Sequence, residues 1–246
     1  MKRVRLIGLP FAGGSQYSFS RFSKYLPDHI ILHALDLPGR GTRSKEPLLD
    51  CMEALVEDVF LKIQHWINEP YAIFGHSLGS LLAFLLARRI QSKQLPLPLV
   101  LFLSGYEAPS VSSSAQRHLL PKDDFMKSLQ ALGRMDEVFE NKLLFNFYEP
   151  IFRADITATE TYQYEATALL NIPLQILKGR EEAFSREEAM AWQKESIYDI
   201  QLAEYEGGHF FILQHERAIM ELVVQQITFH LEKGGAHFPS TLLLPK

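Results

Sequence analysis

A serine between two glycines is the first feature of this sequence that could do chemistry. Residues 75–79 read Gly-His-Ser-Leu-Gly, between an apolar run of strand type at 71–74 and a proline-free, helix-forming run at 78–89. A strand that turns sharply into a helix forces its central residue into a strained conformation, which lifts the side chain clear of the sheet. The pattern therefore predicts that Ser77 is a nucleophile and that the amide of Leu78, at the start of the helix, donates to a developing oxyanion.

A histidine must take the proton of such a serine, because a hydroxyl is a poor nucleophile at neutral pH. A carboxylate must in turn hold the imidazole in the correct tautomer. In hydrolases built around this turn, the chain order is serine, acid, histidine. Of the nine histidines, His209 alone lies on a loop directly after a predicted strand, at 200–205, and behind two glycines. We therefore predict that His209 is the general base.

The acid is open among several carboxylates. Glu182 follows a predicted strand at 173–177, in the loop where hydrolases of this type place the acid, and Glu181 stands beside it. Glu107 lies just beyond the preceding predicted strand, where some relatives carry the acid, and Asp155 is a further candidate. We favour Glu182, with Glu181, Glu107 and Asp155 behind it in that order.

A glycine-rich loop follows the first predicted strand, at 4–9. It reads Pro-Phe-Ala-Gly-Gly-Ser at 10–15, and consecutive glycines let backbone approach a substrate closely. In a serine hydrolase of this layout, the equivalent loop supplies the second oxyanion-hole amide. We predict Ala12 as that donor, with Phe11 as the neighbouring alternative. The loop lacks the Gly-Lys-Ser/Thr ending of a phosphate-binding loop.

Strand-type and helix-type runs alternate along most of the chain, which predicts a mostly parallel sheet with helices on both faces. The predicted strands are 4–9, 30–35, 71–74, 99–103, 173–177 and 200–205, and the predicted helices are 18–26, 52–67, 78–89, 187–194 and 212–231. The class is therefore α/β, in a single domain over 1–246. The tail at 234–246 carries Gly, Pro and Ser and is expected to be irregular.

The alternation stops between residues 105 and 170, the segment called the insertion below. It contains helical patterns at 122–132, 137–148 and 154–169 and no convincing strand. Helices inserted between two strands, at the carboxyl edge of a parallel sheet, lie above the site. The insertion is therefore predicted to be a lid over Ser77.

Composition excludes several classes of protein. The 246 residues are 47% hydrophobic and 22% charged, with a net charge of −4, which argues against a nucleic-acid surface. No apolar run approaches the length of a membrane span. A single cysteine, Cys51, excludes an intrachain disulfide and a cysteine-rich metal site, which fits a reducing cytoplasm.

Six motifs resemble, in the same order, those of the type II thioesterases that accompany non-ribosomal peptide synthetases and polyketide synthases, within the α/β-hydrolase superfamily. They are PFAGGSQYSF at Pro10, DLPGRGTR at Asp36, FGHSLGSLLAF at Phe74, LSGYEAP at Leu103, PIFRADITATETYQY at Pro150 and GGHFFIL at Gly207. The resemblance covers nearly the whole length of the chain.

The resemblance implies roles for individual residues. Ser77 matches the family nucleophile, His209 the base, and Ala12 and Leu78 the oxyanion-hole amides. Glu182 stands where the family usually has aspartate. Arg153 and Asp155 match a lid motif, for which we expect a structural role.

The activity implied is hydrolysis of acyl thioesters from the phosphopantetheine arm of carrier proteins, which releases stalled or wrongly primed groups. No metal and no cofactor beyond that arm is expected, and the protein is expected to be a monomer. An acidic carrier surface would suit the arginines at 40, 43, 88, 89, 117, 134 and 153. The alternatives are a medium-chain fatty acyl thioesterase, a small-molecule carboxylesterase, and a binding module without turnover.

Overall fold

Six parallel strands form the sheet that positions the site in this computed structural model, which describes residues 2–111, 115–133 and 141–233. The strands are β1 Val4–Leu9, β2 Ile30–Ala34, β3 Tyr71–His76, β4 Leu101–Ser104, β5 Leu174–Gly179 and β6 Gln201–Tyr205. Their spatial order is β2-β1-β3-β4-β5-β6, with every neighbouring pair parallel. All carboxyl ends therefore meet at one edge of the sheet, as predicted.

The central strands are the most buried part of the sheet. Every residue of β3, β4 and β5 is buried, which explains why these runs are nearly continuous in apolar residues rather than alternating. In the register of β3 and β4, His76 lies opposite Ser104, so both strands end at the same level. The residues that follow these strands are consequently brought side by side.

Helices cover both faces of the sheet. They are α1 Met52–Ile63, α2 Leu78–Ser92, α3 Lys122–Gln130, α4 Lys142–Thr161, α5 Arg186–Met190 and α6 Glu216–Glu232. The apolar sides of α1 and α2 pack in one core cluster, and α6 packs with Phe19 and Phe22 in a second cluster. A third, smaller cluster joins α3 and α4. The predicted α/β-hydrolase architecture, with helices on both faces, is confirmed.

The helix predicted at 18–26 is wrong in type. The chain instead forms two short 3-10 helices, Gln16–Phe19 and Ser23–Tyr25. Phe19, Phe22 and Tyr25 recur every three residues, which is the period of a 3-10 helix, so the spacing was real but belonged to the tighter form. The predicted strands and the helices predicted at 52–67, 78–89, 122–132 and 212–231 occur with ends displaced by a few residues. The helix predicted at 187–194 is an α-helix over Arg186–Met190 and a 3-10 helix over Ala191–Glu195.

The helices predicted at 137–148 and 154–169 are replaced by one. The described part of this segment begins at residue 141, and α4 runs without interruption through Pro150. Proline removes one helical hydrogen bond, but Phe145 before it and Phe152 after it are both buried in the α3–α4 cluster, which keeps the two halves in line. Beyond Tyr162 the backbone is extended, so 162–169 is not helical.

Two further points concern the termini and the membrane. The tail at 234–246, expected to be irregular, lies outside the described residues. In the part of the chain that the structure describes, no helix has the length and apolarity to cross a membrane.

Candidate active site

The turn from β3 into α2, residues 75–79, is called the elbow here. Ser77 has φ 56° and ψ −121°, a strained conformation for a residue with a side chain. A Cβ on Gly75 would lie 2.0 Å from the Gly79 carbonyl oxygen, and one on Gly79 would lie 2.1 Å from the Leu9 carbonyl oxygen. Only glycine fits at either position. Ser77 is partly exposed while the residues on both sides of it are buried.

The backbone amides around Ser77 differ in whether they already donate a hydrogen bond within the protein. In the loop after β1, Gly14 N donates to the Phe11 carbonyl at 2.8 Å and Gly13 N donates to Asp155 Oδ2 at 2.7 Å. The amide of Ala12 has no hydrogen-bond acceptor among the described residues. Leu78 is the first residue of α2, where an amide has no partner within the helix. Ala12 and Leu78 are therefore free to bind a ligand oxygen.

Glu182 and His209, 27 residues apart in the chain, meet beside the elbow. His209 Nδ1 lies 3.0 Å from Glu182 Oε2, and their side chains are 12% and 5% exposed. A Cβ on Gly179 would lie 2.6 Å from the carbonyl oxygens of Gly207 and Gly208. The absence of a side chain at Gly179 is thus what lets the two loops approach.

The other predicted acids lie elsewhere. Glu181 is exposed, and its side chain makes no contact with His209 among the described residues. Asp155 is fully buried and binds Gly13 N and Arg40. Glu107 lines the same cavity as Ser77, and its pKa is raised by burial and by the charges of Glu188 and Glu182.

Ser77 and His209 line one cavity, but in the described structure no hydrogen bond joins the serine hydroxyl to the imidazole. Hydrogen bonds between a nucleophile and its base are often long or poorly aligned without substrate and tighten when it binds. The imidazole is held from its far side by Glu182, so its Nε2 is the nitrogen left for the serine.

His76 and Gly105 were not singled out as functional, although they surround this pair. The His76 ring is fully buried, lies 5.1 Å from the His209 ring between centroids, and contacts Ser104 Oγ through Nδ1 at 2.9 Å. Burial, reinforced by the nearby His209, lowers the pKa of His76 well below its usual value. A Cβ on Gly105, where φ is +63°, would lie 2.5 Å from the His76 ring and 3.1 Å from Glu182 Oε1. A glycine two residues beyond the strand predicted at 99–103 was the available signal.

The cavity above the elbow has a volume of about 700 Å³, within the usual range for small-molecule sites. Its lower part is formed by Ser77, Ala12 and Leu78. The insertion contributes Leu129, Leu132, Phe152, Ile156, Thr159 and Glu160 among its lining residues. Within the described residues, no three His, Cys, Asp or Glu side chains are grouped to hold a metal ion.

Most of the arginines expected to meet a carrier protein form ion pairs with carboxylates of this chain. Arg40 is 4% exposed and pairs with Asp155, so its assignment to a docking surface is wrong. Arg43, Arg88, Arg89, Arg117 and Arg153 each pair with a carboxylate of this chain, and residue 134 lies outside the described residues. The distribution of arginines therefore does not mark a docking surface.

Comparison with known proteins shows the family of this chain. The model of the thioesterase domain family matches residues 4–227. The gramicidin S biosynthesis protein GrsT of Aneurinibacillus migulanus is 32% identical, over 92% of this chain and 89% of that protein. The medium-chain S-acyl fatty acid synthase thioesterase of Homo sapiens is also 32% identical, over 90% of this chain and 86% of its own length.

A solved structure is similar over the same extent. ClbQ from the colibactin NRPS/PKS pathway is 32% identical and has a TM-score of 0.89, over 95% of this chain and 100% of that one. The resemblance to thioesterases predicted from the sequence motifs is thereby confirmed. The chain belongs to the thioesterase domain family and is a thioester hydrolase.

Proposed function

We propose that this protein hydrolyses acyl thioesters carried on the phosphopantetheine arm of carrier proteins, as an editing enzyme of non-ribosomal peptide or polyketide synthesis. Ser77 is the nucleophile, His209 the general base and Glu182 the acid that orients it. The observation that carries the proposal is the 3.0 Å contact between His209 Nδ1 and Glu182 Oε2, in the cavity that Ser77 also lines.

The first step is acylation of Ser77. Glu182 accepts a hydrogen bond from Nδ1–H of His209, which leaves Nε2 as the basic nitrogen. Nε2 takes the hydroxyl proton while the Ser77 oxygen attacks the thioester carbonyl. The negative charge that develops on the carbonyl oxygen is bound by the free amides of Ala12 and Leu78, and the partial positive charge at the start of α2 adds to this stabilisation.

The tetrahedral intermediate then collapses with cleavage of the carbon–sulfur bond. The leaving thiol has a pKa near 8.5, far below that of an alcohol, so its departure needs little help from a general acid. The proton on His209 passes to the sulfur, which restores the neutral imidazole. The arm leaves as a free thiol, and the acyl group stays on Ser77 as an oxygen ester.

Water completes the cycle. His209 removes a proton from a water molecule, which attacks the ester, and the same two amides bind the second oxyanion. Collapse returns the proton to the Ser77 oxygen and releases a carboxylic acid. The chain supplies every group in these steps, so we propose that the enzyme uses no metal and no cofactor of its own.

A panel of donors tests the proposal. One acyl group is presented on a holo carrier protein, on coenzyme A and as a p-nitrophenyl ester, and kcat/KM is measured for each. We expect the carrier-bound thioester to be preferred. A strong preference for the simple ester would contradict the carrier-protein assignment and would favour a carboxylesterase.

The second candidate is a medium-chain fatty acyl thioesterase. It is favoured by the human relative, whose name states that activity and whose identity to this chain equals that of GrsT. Mass spectrometry of acids released from carrier proteins loaded with acyl groups of two to twelve carbons separates the two. Release confined to the longer saturated chains would support the second candidate.

The remaining alternative from the sequence is a binding module, a protein that keeps this fold and binds a ligand without hydrolysing it. Labelling of Ser77 by a fluorophosphonate, absent in Ser77→Ala, would exclude a non-catalytic module. In an active enzyme, thioester hydrolysis should fall as the label is incorporated.

A further inference from the structure

Asp155 on α4 binds the backbone of the loop that carries Ala12. Its carboxylate is fully buried, and Oδ2 accepts a hydrogen bond from Gly13 N at 2.7 Å. The next amide, that of Gly14, donates within the loop to the Phe11 carbonyl. Both amides that follow Ala12 therefore donate inside the protein, whereas the amide of Ala12, a residue that lines the cavity, has no acceptor among the described residues.

Arg40 holds this carboxylate in place. Its guanidinium is buried and binds both carboxylate oxygens of Asp155, with 2.7 Å between Nη2 and Oδ1. A buried ion pair adds little net stability, because desolvation of both charges offsets their attraction. Stability alone therefore does not explain why the pair lies against this loop.

Phe152 touches the loop at the same residue. Gly13 has φ +75°, and a Cβ there would lie 2.0 Å from the Phe152 ring. The last half of α4 thus contacts Gly13 both through a hydrogen bond to its amide and through packing on its Cα. A displacement of this part of α4 would displace the loop.

We infer that Asp155, held by Arg40, is a positioning residue for the oxyanion hole. The inference rests on the proposed function. By fixing the amide of Gly13, Asp155 orients the peptide chain around Ala12 so that its N–H points at the carbonyl oxygen under attack. The last half of α4 then belongs to the catalytic apparatus, whereas a lid that only covers the site would leave the oxyanion hole intact when removed.

Two substitutions at one position separate positioning from stability. Asp155→Asn and Asp155→Ala both remove the charge and leave Arg40 unpaired. Asp155→Ala also leaves a small cavity, so the thermal unfolding of each variant is measured first to establish that it is folded. Asparagine retains an oxygen for Gly13 N, and alanine does not. We expect kcat to fall about 10- to 100-fold in Asp155→Ala, less than the roughly 10²- to 10³-fold loss that follows removal of an oxyanion-hole donor, because the Ala12 amide is displaced and not deleted. The fall in Asp155→Asn should be much smaller. KM should change little in either variant.

A double variant tests the inference even where the single Asp155 variants do not fold. Arg40→Met with Asp155→Leu removes both buried charges, a change that is often neutral or stabilising. It still leaves Gly13 N without an acceptor, so its kcat should resemble that of Asp155→Ala. Asp58→Asn is the matched control, because Asp58 pairs with Arg43 through two contacts but lies away from the oxyanion loop, and it should retain full activity.

The readouts are kcat and KM on an acyl N-acetylcysteamine thioester, which needs no carrier docking, and inhibition by a trifluoromethyl ketone, which forms a tetrahedral oxyanion on Ser77. Inhibitor affinity should fall by the same factor as kcat. Equal kcat in Asp155→Asn and Asp155→Ala, or wild-type kcat and inhibitor affinity in the folded double variant, would overturn the inference. Failure of the carrier-protein assignment would look different, since it would appear in the donor panel and would leave the ratios of kcat between these variants on a free thioester unchanged.

Discussion

The elbow and the insertion contribute to one cavity but are held in place in different ways. The elbow is fixed by its own turn, where Gly75 lies against Gly79, and by neighbouring strands. Gly79 lies against the Leu9 carbonyl, and the Ser77 amide is bonded to the Ser104 carbonyl. The insertion is fixed from outside the sheet, since Asp155 on α4 bonds to a loop amide 142 positions away in the chain. The nucleophile is thus held by the sheet, and the part of the insertion that contains Asp155 is held by its contact with the loop after β1.

The side chains of the two regions also differ in exposure to solvent. Every residue of α2 from Leu78 to Phe84 is buried, whereas the first turns of α4 carry Leu143 and Phe147 at 80% and 66% exposure. Of these first turns, Phe145 is buried in the α3–α4 cluster, together with Phe152 and Ile156 in the last half of the helix. We therefore expect changes at the elbow to abolish thioester hydrolysis, and changes in the insertion to alter which acyl groups are accepted.

The largest effect is expected at the elbow itself. Ser77→Ala removes the nucleophile and should lower kcat/KM by a factor of about 10⁴ or more, while the fold persists because the substitution is small. Thioester hydrolysis and thermal unfolding measured on one preparation check this. Turnover within tenfold of wild type would place the nucleophile elsewhere.

The next effect concerns the acid. Glu182→Gln should lower kcat by about 10² to 10⁴, because the amide no longer fixes the tautomer of His209. Glu181→Gln and Glu107→Gln are the matched controls and should change kcat less than tenfold. A reversal of that order in steady-state kinetics would move the role to one of the two other glutamates.

A pair of leucines compares the two regions directly. Leu81→Ala, in the buried helix behind the elbow, should lower the free energy of unfolding by about 2–5 kcal/mol and leave the acyl-length preference unchanged. Leu129→Ala, in the cavity wall formed by the insertion, should lower it less and shift the preference toward longer acyl groups. Denaturant unfolding and an acyl-length series measure both, and an altered preference in Leu81→Ala would contradict the separation.

The smallest expected effect is a pH dependence of the free energy of unfolding, which we attribute to a buried histidine on α6. Burial lowers the pKa of His230 on α6 to about 4. As pH falls through 6.5, the histidine of the unfolded chain binds a proton, whereas His230 of the folded chain stays neutral until about pH 4. The contribution of His230 to the free energy of unfolding is therefore fully present above pH 6.5 and is lost as pH falls toward 4.

His230→Gln should weaken the decline of Tm between pH 6.5 and 4.5, and His65→Gln, at an exposed position, should leave it unchanged. The same acid decline in His230→Gln as in wild type would contradict this assignment.

What could be predicted from the sequence follows the same division. The motif of the elbow can be recognised within five residues, although the steric reason for glycine at residue 79 is the Leu9 carbonyl on the neighbouring strand. The loops of Glu182 and His209 follow β5 and β6, which are adjacent parallel strands whose carboxyl ends lie together, so their proximity could also be expected. Their catalytic roles stay predictions.

The insertion was harder to predict, since its helices depend on tertiary contacts. Two helices were predicted, at 137–148 and 154–169, but packing of Phe145 and Phe152 on α3 holds one helix through Pro150 between them. The burial of Arg40 had no local signal, because its partner Asp155 is 115 positions away. Such pairs are visible only once the chain is folded.

The central claim is that Ser77 becomes acylated by a carrier-bound thioester. Rapid-quench mass spectrometry of Glu182→Gln, in which deacylation is slowed, should find the acyl mass on the peptide that contains Ser77 and on no other peptide. Hydrolysis of the same thioester by Ser77→Ala at the wild-type rate, with no acyl group on this peptide, would contradict the account.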